Sequence, residues 1–326
     1  MRLAFSPSAP GADAATLVDL CVEAEALGFE EAWLAEVAGP ESFALAGAIA
    51  AATTTMALGV AVVPASTRTP ALLAMGAGTI SQVLRGREFY LGVGSSSQVI
   101  VETWHGAPFA PPLARVRETV EATRALLGGE RSYAGTLVRA DRFTLASPPV
   151  GPVRLFVGAL GPRMLRLAGA VGDGVCLNLM PPEVVPRQLA EIRRGAEEAG
   201  RDLPEHFRVM ARFHTVITDD RMAGREAIRM GFGPYFAQPV YNRFLAWCGH
   251  PEEADAVAAA FTDGDRAGVA AALTDQIVDG VAIVGSPDEV IARLDEYAAA
   301  GVDVGAINLL GSPEMVAGGL KSLSDD

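Results

Sequence analysis

Short apolar runs and helical stretches alternate along most of this chain, and that alternation limits its fold more than any other feature. Arg2–Ser6 reads as a first strand. In Thr16–Leu27, Leu17, Leu20, Cys21, Ala24 and Leu27 recur at helical spacing, and Gly28 stops the helix. Ala32–Ala35 reads as a strand that ends at Glu36, Phe43–Ala52 as an apolar helix, and Ala57–Val63 as a strand buried on both faces. Pro70–Leu84 is helical and Glu88–Val93 extended. The same order resumes with strand Val153–Val157, helix Arg163–Ala170, strand Val175–Asn178, helix Pro182–Ala199 and strand Arg208–Ile217. Ser286, Pro287 and Glu289 supply an N-cap, a first-position proline and a capping box. Gly301 ends that helix, and Gly305–Leu310 is the last strand. A strand that crosses over through a helix to the next strand builds a parallel sheet. Eight such strands suit closure, so the expected fold class is α/β, a (β/α)8 TIM barrel, with a single domain over residues 1–326.

Two segments break the repeat. Glu130–Pro149 reads as a hairpin inserted before the fifth strand, and Phe232–Gly285 as a helical insertion between the seventh and eighth. No low-complexity linker separates two domains.

Composition narrows the chemistry. The net charge of −13 argues against nucleic acid as a partner, so any anionic ligand must be held by local arginines or backbone N–H groups. Basic residues are 25 Arg and the single Lys321, close to the C-terminus, which excludes Schiff-base catalysis at a strand end. Cys21, Cys176 and Cys248 are odd in number and far apart, and no CxxC occurs; the expectation is a reducing cytoplasm without disulfides or structural zinc. His105, His206, His214 and His250 form no HxH or HExxH pair, so no metal is expected. The start, MRLAFSPSAP, lacks a signal-peptide apolar run. Ala44–Pro64 is apolar but interrupted by Thr53, Thr54 and Thr55, and reads as helix, turn and strand; no membrane association is expected.

The stretch Gly59–Gly106 contains a buried strand, an Arg-x-Pro helix start at Arg68-Thr69-Pro70, a Gly86-Arg87 turn and a strand ending Leu91-Gly92-Val93-Gly94. Phe156–Asn178 contains Gly-Pro-x-x-Leu-x-x-Ala-Gly from Gly161 to Gly169, then Asp173-Gly174-Val175. A third block runs from Asp279-Gly280 to Asp288 and includes Val-Gly-Ser-Pro-Asp. Taken in this order, the chain resembles the luciferase-like superfamily, in the branch of F420-dependent oxidoreductases. The resemblance implies hydride transfer between the deazaflavin coenzyme F420 and an organic substrate. FMN with monooxygenase activity is the alternative within the same fold, and a cofactor-free barrel that binds a ligand is the alternative outside enzymes.

Barrel ligands sit at the C-terminal ends of the strands. Glu36, Val62–Pro64, Gly94–Ser97, Gly158–Gly161, Asn178, His214 and Asn308 fall at or near those ends. Small residues, hydroxyls and backbone suit a planar tricyclic ring with a phosphate. The resemblance assigns Gly158, Ala159, Leu160 and Gly161 to the phosphate side of the cofactor, ahead of a helix N-terminus carrying Arg163 and Met164. It sets Ala61, Val62 and Val63 at a strand bulge against the ring, where relatives have a cis peptide. Gly94 with the hydroxyls of Ser95 and Ser96 is expected to bond phosphate or the polyol chain. Arg68 is expected to pair with a cofactor or substrate carboxylate, and Arg163 and Arg166 with the acidic tail. Glu36, Ser97 and His105 are the candidates for catalysis. A solvated arginine, a salt-bridged Glu36, a loop histidine and glycines that only shape turns are the competing structural readings. In the sugar-phosphate dehydrogenase branch a His follows the acidic residue after the second strand and a Glu lies beyond the fourth. Here those positions hold Val37 and Ser97, so that acid–base pair is missing. The apolar helices Phe43–Ala52 and Pro70–Leu84 point to a homodimer.

Overall fold

The computed structural model describes residues 1–324. In chain order its elements begin β1 (Arg2–Phe5), α1 (Ala14–Ala26), β2 (Glu31–Leu34), α2 (Ser42–Ala52), β3 (Ala57–Pro64), α3 (Pro70–Leu84) and β4 (Phe89–Gly94). A π-helical turn at Val99–Trp104 leads to α4 (Pro112–Leu127) and the hairpin β5 (Tyr133–Ala134) and β6 (Arg139–Ala140). Then follow β7 (Val153–Gly158), α5 (Pro162–Val171), β8 (Gly174–Asn178), α6 (Val185–Glu198) and β9 (Arg208–Ile217). The chain continues through α7 (Arg221–Phe236), α8 (Pro239–Trp247), α9 (Pro251–Thr262), α10 (Arg266–Ala272) and α11 (Asp275–Val281). It ends with β10 (Ala282–Gly285), α12 (Pro287–Ala300), β11 (Val304–Leu309) and α13 (Pro313–Ser322).

Strands β1, β2, β3, β4, β7, β8, β9 and β11 pair in that order, all parallel, and β11 returns to β1, closing a (β/α)8 barrel. The expected hairpin is present as β5 and β6. The second insertion differs from its expected bounds. Its helices start at Arg221 rather than Phe232, and it closes on a strand, β10, rather than on helix. Helices α4 and α13 and the π-helical turn add to the expected elements. The ten residues of β9 explain β10. Arg208–Arg212 pair with β8, and His214–Ile217, which outrun β8, pair with β10 instead. An unpaired strand edge inside a protein leaves N–H and C=O groups without partners, and β10 supplies them. No helix among the described residues is long and apolar enough to cross a membrane.

Helix ends follow local chemistry. Asp13 accepts from Thr16 N at 2.8 Å at the start of α1, and Ser286 and Glu289 form the expected capping box on α12. Between strands and helices lies the main apolar core, including Leu58, Leu91, Leu155 and Val175. Inside the barrel, large aromatics plug the lower half. The Trp33 and Tyr90 rings stack at 5.0 Å, with Phe156 tilted against both. Gly59 makes room for this plug, since a Cβ there would lie 2.3 Å from the Trp33 ring. Below it, Arg208 pairs with the buried Glu31 at 2.9 Å, and Trp33 Nε1 donates to the same carboxylate at 2.8 Å. Side chains toward the upper rim are smaller, and space opens there.

The Ala168-Gly169 pair of the α5 motif has a packing role. A Cβ on Gly169 would lie 1.9 Å from Ile192 O, and one on Gly195 of α6 would lie 1.9 Å from Arg166 O. The two helices therefore meet backbone to backbone. Gly169→Ala is expected to cost about 3 kcal/mol of unfolding free energy by overpacking, measured by urea denaturation. A loss below about 0.5 kcal/mol, the scale of an ordinary surface change, would show that the contact is adjustable.

Candidate active site

A cavity of about 480 Å³ occupies the upper mouth of the barrel, at the C-terminal ends of the strands. One wall is β3. Its register with β4 slips between Val60 and Val63, and the Ala61–Val62 peptide is cis. Ala61 and Val62 line the cavity, whereas Val63 is buried behind them. A Cβ on Gly94 would lie 2.4 Å from Val62 Cγ2, and one on Gly158 would lie 2.9 Å from Val62 Cγ1. These glycines therefore seat Val62 and flatten the wall, beyond the ligand contact expected of them.

The neighbouring wall is Gly158-Ala159-Leu160-Gly161 and Met164, all at the cavity. Gly161 precedes α5 with no side-chain cap, and the space around its missing Cβ is open. The Gly161 and Arg163 N–H groups have no backbone acceptor among the described residues. Ser95, Ser96 and Ser97 line the cavity beyond β4; Ser96 has φ 58°, and Ser97 Oγ accepts from Ile100 N at 3.3 Å.

Several expected groups are engaged elsewhere. Arg68 was read as a partner for a ligand carboxylate. Its Nη2 instead donates to Glu36 at 2.7 Å and bonds Glu41, and its guanidinium lies 4.7 Å from the Phe43 ring centroid. Glu36 does line the cavity, but its Oε2 also accepts from Ser42 Oγ at 2.6 Å. Both of its oxygens thus already bond protein groups. His105 is exposed and does not line the cavity, although its neighbour Trp104 does. Arg166 pairs with Glu191, and Arg163 is exposed with no ion pair among the described residues. Of the three arginines expected to meet ligand carboxylates, Arg68 and Arg166 already have carboxylate partners in the protein.

The third wall joins Asn178, His214 and Asn308, expected at strand ends, to Arg212, which was not expected. Arg212 and His214 both face the cavity from β9, with Met210 below. Register sets Asn178 of β8 beside Arg212 and Asn308 of β11 beside His214. Asn308 Nδ2 donates to Ser6 O at 3.3 Å, which turns Asn308 Oδ1 toward His214 Nδ1 at 3.0 Å. His214 Nδ1 therefore carries the proton and Nε2 holds a lone pair. Burial and the Arg212 charge push His214 down to about 3, so the ring is neutral near pH 7. Burial pushes Arg212 down to about 10, which leaves it a cation there. Arg212 forms no ion pair among the described residues; Nη2 reaches only the Trp33 carbonyl, at 3.5 Å. Arg212 Nε, His214 Nε2 and Asn178 Oδ1 are buried and have no hydrogen-bond partner among the described residues. Each such atom costs about 1–3 kcal/mol unless something meets it. Only alternation along β9 could have pointed to Arg212, and a strand buried on both faces hides that phase. Helices α7 and α8 roof this side with Phe232, Tyr235 and Tyr241.

A family model described as luciferase-like monooxygenase matches residues 2–304. A 5,10-methylenetetrahydromethanopterin reductase of Archaeoglobus fulgidus is 32% identical over 286 residues, covering 86% of this chain and 85% of the relative. An F420-dependent glucose-6-phosphate dehydrogenase of Nakamurella multipartita is 30% identical over 221 residues, covering 63% of this chain and 65% of that one. The structure of a coenzyme F420-dependent tetrahydromethanopterin reductase from Methanopyrus kandleri superposes with a TM-score of 0.80 at 22% identity, covering 99% of this chain and 97% of the other.

His214 makes stability depend on pH. In the unfolded chain it protonates near its ordinary 6.5, whereas in the fold it stays neutral to about 3. The unfolded state then binds the extra proton, so stability is full above pH 6.5 and falls as pH drops below it. Between about pH 6 and 5 the His214 contribution is about 1.4 kcal/mol per unit. Denaturation midpoints of wild type and His214→Gln across that window should diverge with this slope. Parallel pH profiles would mean that the imidazole titrates freely in the fold.

Proposed function

The chain belongs to the luciferase-like monooxygenase family, and we propose that within it this protein is a coenzyme F420-dependent oxidoreductase of a small organic substrate. The observation that carries the reading is the flat wall of Ala61 and Val62, made possible by Gly94 and Gly158, next to an uncapped helix start with open space at Gly161. A planar ring needs the first feature and a phosphodiester the second. The F420-dependent dehydrogenase at 30% identity supports the choice of deazaflavin.

The residues fit such a group. Ala61 and Val62 would support the ring, Ser95 and Ser96 would offer hydroxyls to its polyol chain, and the Gly161 and Arg163 N–H groups would meet phosphate. When bound, the deazaflavin supplies two-electron redox chemistry with little tendency to activate oxygen. The chain itself does three things. Its apolar and aromatic walls exclude water, which strengthens every polar contact within. The strand-end backbone fixes where ligands lie, and positioning is the main contribution to rate that such a site can make. Glu36 accepts from Arg68 ahead of α3 and from Ser42 at the start of α2, so it ties these two helix starts together.

In a fluorescence titration F420 should bind more tightly than FMN. Gly161→Leu, which fills the open space at the loop without touching its backbone conformation, should weaken F420 by more than tenfold, or about 1.4 kcal/mol. FMN binding equal to or tighter than F420 would move the protein to the flavin monooxygenases, and full affinity in Gly161→Leu would make that loop only a turn.

The Val37 and Ser97 positions bear on substrate. With no acid–base pair there, glucose 6-phosphate should not be turned over with F420. Sustained deazaflavin reduction by that sugar would contradict the assignment.

We extend the proposal to a homodimer. Leu72 and Met75 of α3 are 48% and 51% exposed, and Ala44 and Ala48 of α2 lie exposed on the adjoining helix. Covering them with a second copy would remove a contiguous apolar face from water. Light scattering should give about twice the 33.9 kDa chain mass; a monomer mass at low micromolar concentration would rule the dimer out.

A further inference from the structure

The β9 wall is not explained by holding a ring and a phosphate. It bears a cation without a counter-charge and a neutral imidazole with a free lone pair, both facing the cavity. In a chain with 39 acidic residues, Arg68, Arg166, Arg208, Arg225 and Arg229 all have carboxylate partners, but Arg212 has none among the described residues. A buried charge left without compensation is unfavourable, and an anion entering the cavity would relieve it.

We infer that Arg212 and His214, with Asn178 beside them, form the substrate-anchoring site, and that its ligand is a small 2-hydroxy carboxylate. This rests on the reading above that the cofactor ring takes the opposite, β3 wall.

Three features select that class. Arg212 Nε–H is a fixed donor with a positive charge, so it selects a carboxylate over an amide or ester. His214 Nε2 is a fixed acceptor, because Asn308 already takes the Nδ1 proton, so it selects a group with a hydrogen to give, a hydroxyl. Residues two apart on one strand are about 7 Å apart along it and point the same way. Side chains so placed can meet two neighbouring polar groups of one small ligand, as the carboxylate and the adjacent hydroxyl of a 2-hydroxy acid are. Asn178, next to Arg212 in register, can donate from Nδ2 to the second carboxylate oxygen. The roof of Phe232, Tyr235 and Tyr241 would cover an apolar or aromatic substituent on the hydroxyl-bearing carbon.

The test uses the full chain, isothermal titration calorimetry and three related probes: mandelate, mandelamide, which lacks the charge, and phenylacetate, which lacks the hydroxyl. Mandelate is expected to bind at least tenfold more tightly than either of the others. Arg212→Met should erase the advantage over mandelamide, with Arg212→Lys retaining part of it, and His214→Leu should erase the advantage over phenylacetate. F420 titrations of the same proteins should be unchanged. No mandelate binding, or mandelate no tighter than mandelamide for the wild type, would overturn the assignment without needing any variant. Arg212→Met that weakens F420 as much as mandelate would overturn it too, by giving Arg212 to the cofactor. If wild type binds mandelate with the expected preferences but does not bind F420, the anchoring site stands and only the cofactor reading fails.

Discussion

Barrel closure through β9 is the constraint on which the rest of this structure depends. Every strand of a closed sheet must be paired on both sides, and β9 is longer than β8, its neighbour on one side. Its lower half pairs with β8 and its upper half with β10, a strand contributed by the end of the long α7–α11 insertion. The changeover falls between Arg212 and His214. The insertion is thus joined to the barrel by backbone hydrogen bonds at the same level as the cavity, and its helices α7 and α8 roof that cavity as a consequence.

Packing divides the barrel interior into two halves with different chemistry. Trp33, Tyr90 and Phe156 fill the lower half, and the Arg208–Glu31 pair seals it below. Above them, Ala61, Gly94 and Gly158 leave room, and the polar groups on β8, β9 and β11 face that room without enough protein partners. An interior that is close-packed elsewhere but keeps an open, partly unsatisfied region here is suited to a ligand. Charge follows the same division. Arg68 and Arg166 are matched by carboxylates of a strongly acidic chain, whereas Arg212, with no carboxylate partner among the described residues, gives the cavity a positive group in an acidic molecule.

Much of the site was legible because glycine and proline carry positional meaning. Gly161-Pro162 marks a helix start, and Gly94 and Gly158 mark strand ends where backbone and neighbouring side chains come close. Charged residues were less legible. Arg68 reads equally as a ligand anchor or a helix-start ion pair, and the decision lay with Glu36 and Glu41, which reach it only after β2 and β3 are aligned. His105 was adjacent in sequence to a cavity residue, Trp104, but a π-helical turn sends the two side chains different ways.

Periodicity, caps and turn residues were by themselves enough to determine alternating strands and helices, eight barrel strands and the order of the family motifs, because these depend on contacts between near neighbours in the chain. What only the tertiary structure decided is the third wall of the cavity. Arg212, Asn178, His214 and Asn308 lie on three different strands, and interstrand register alone brings them together. The tautomer of His214 depends on Asn308 and, through it, on Ser6 at the other end of the chain. A one-residue change in register would turn these side chains out of the barrel. Local pattern carries no information about register between strands so far apart in sequence. For that physical reason Asn178, His214 and Asn308 could be placed at strand ends from the sequence, but Arg212 and the contacts among the four became visible only in the folded molecule.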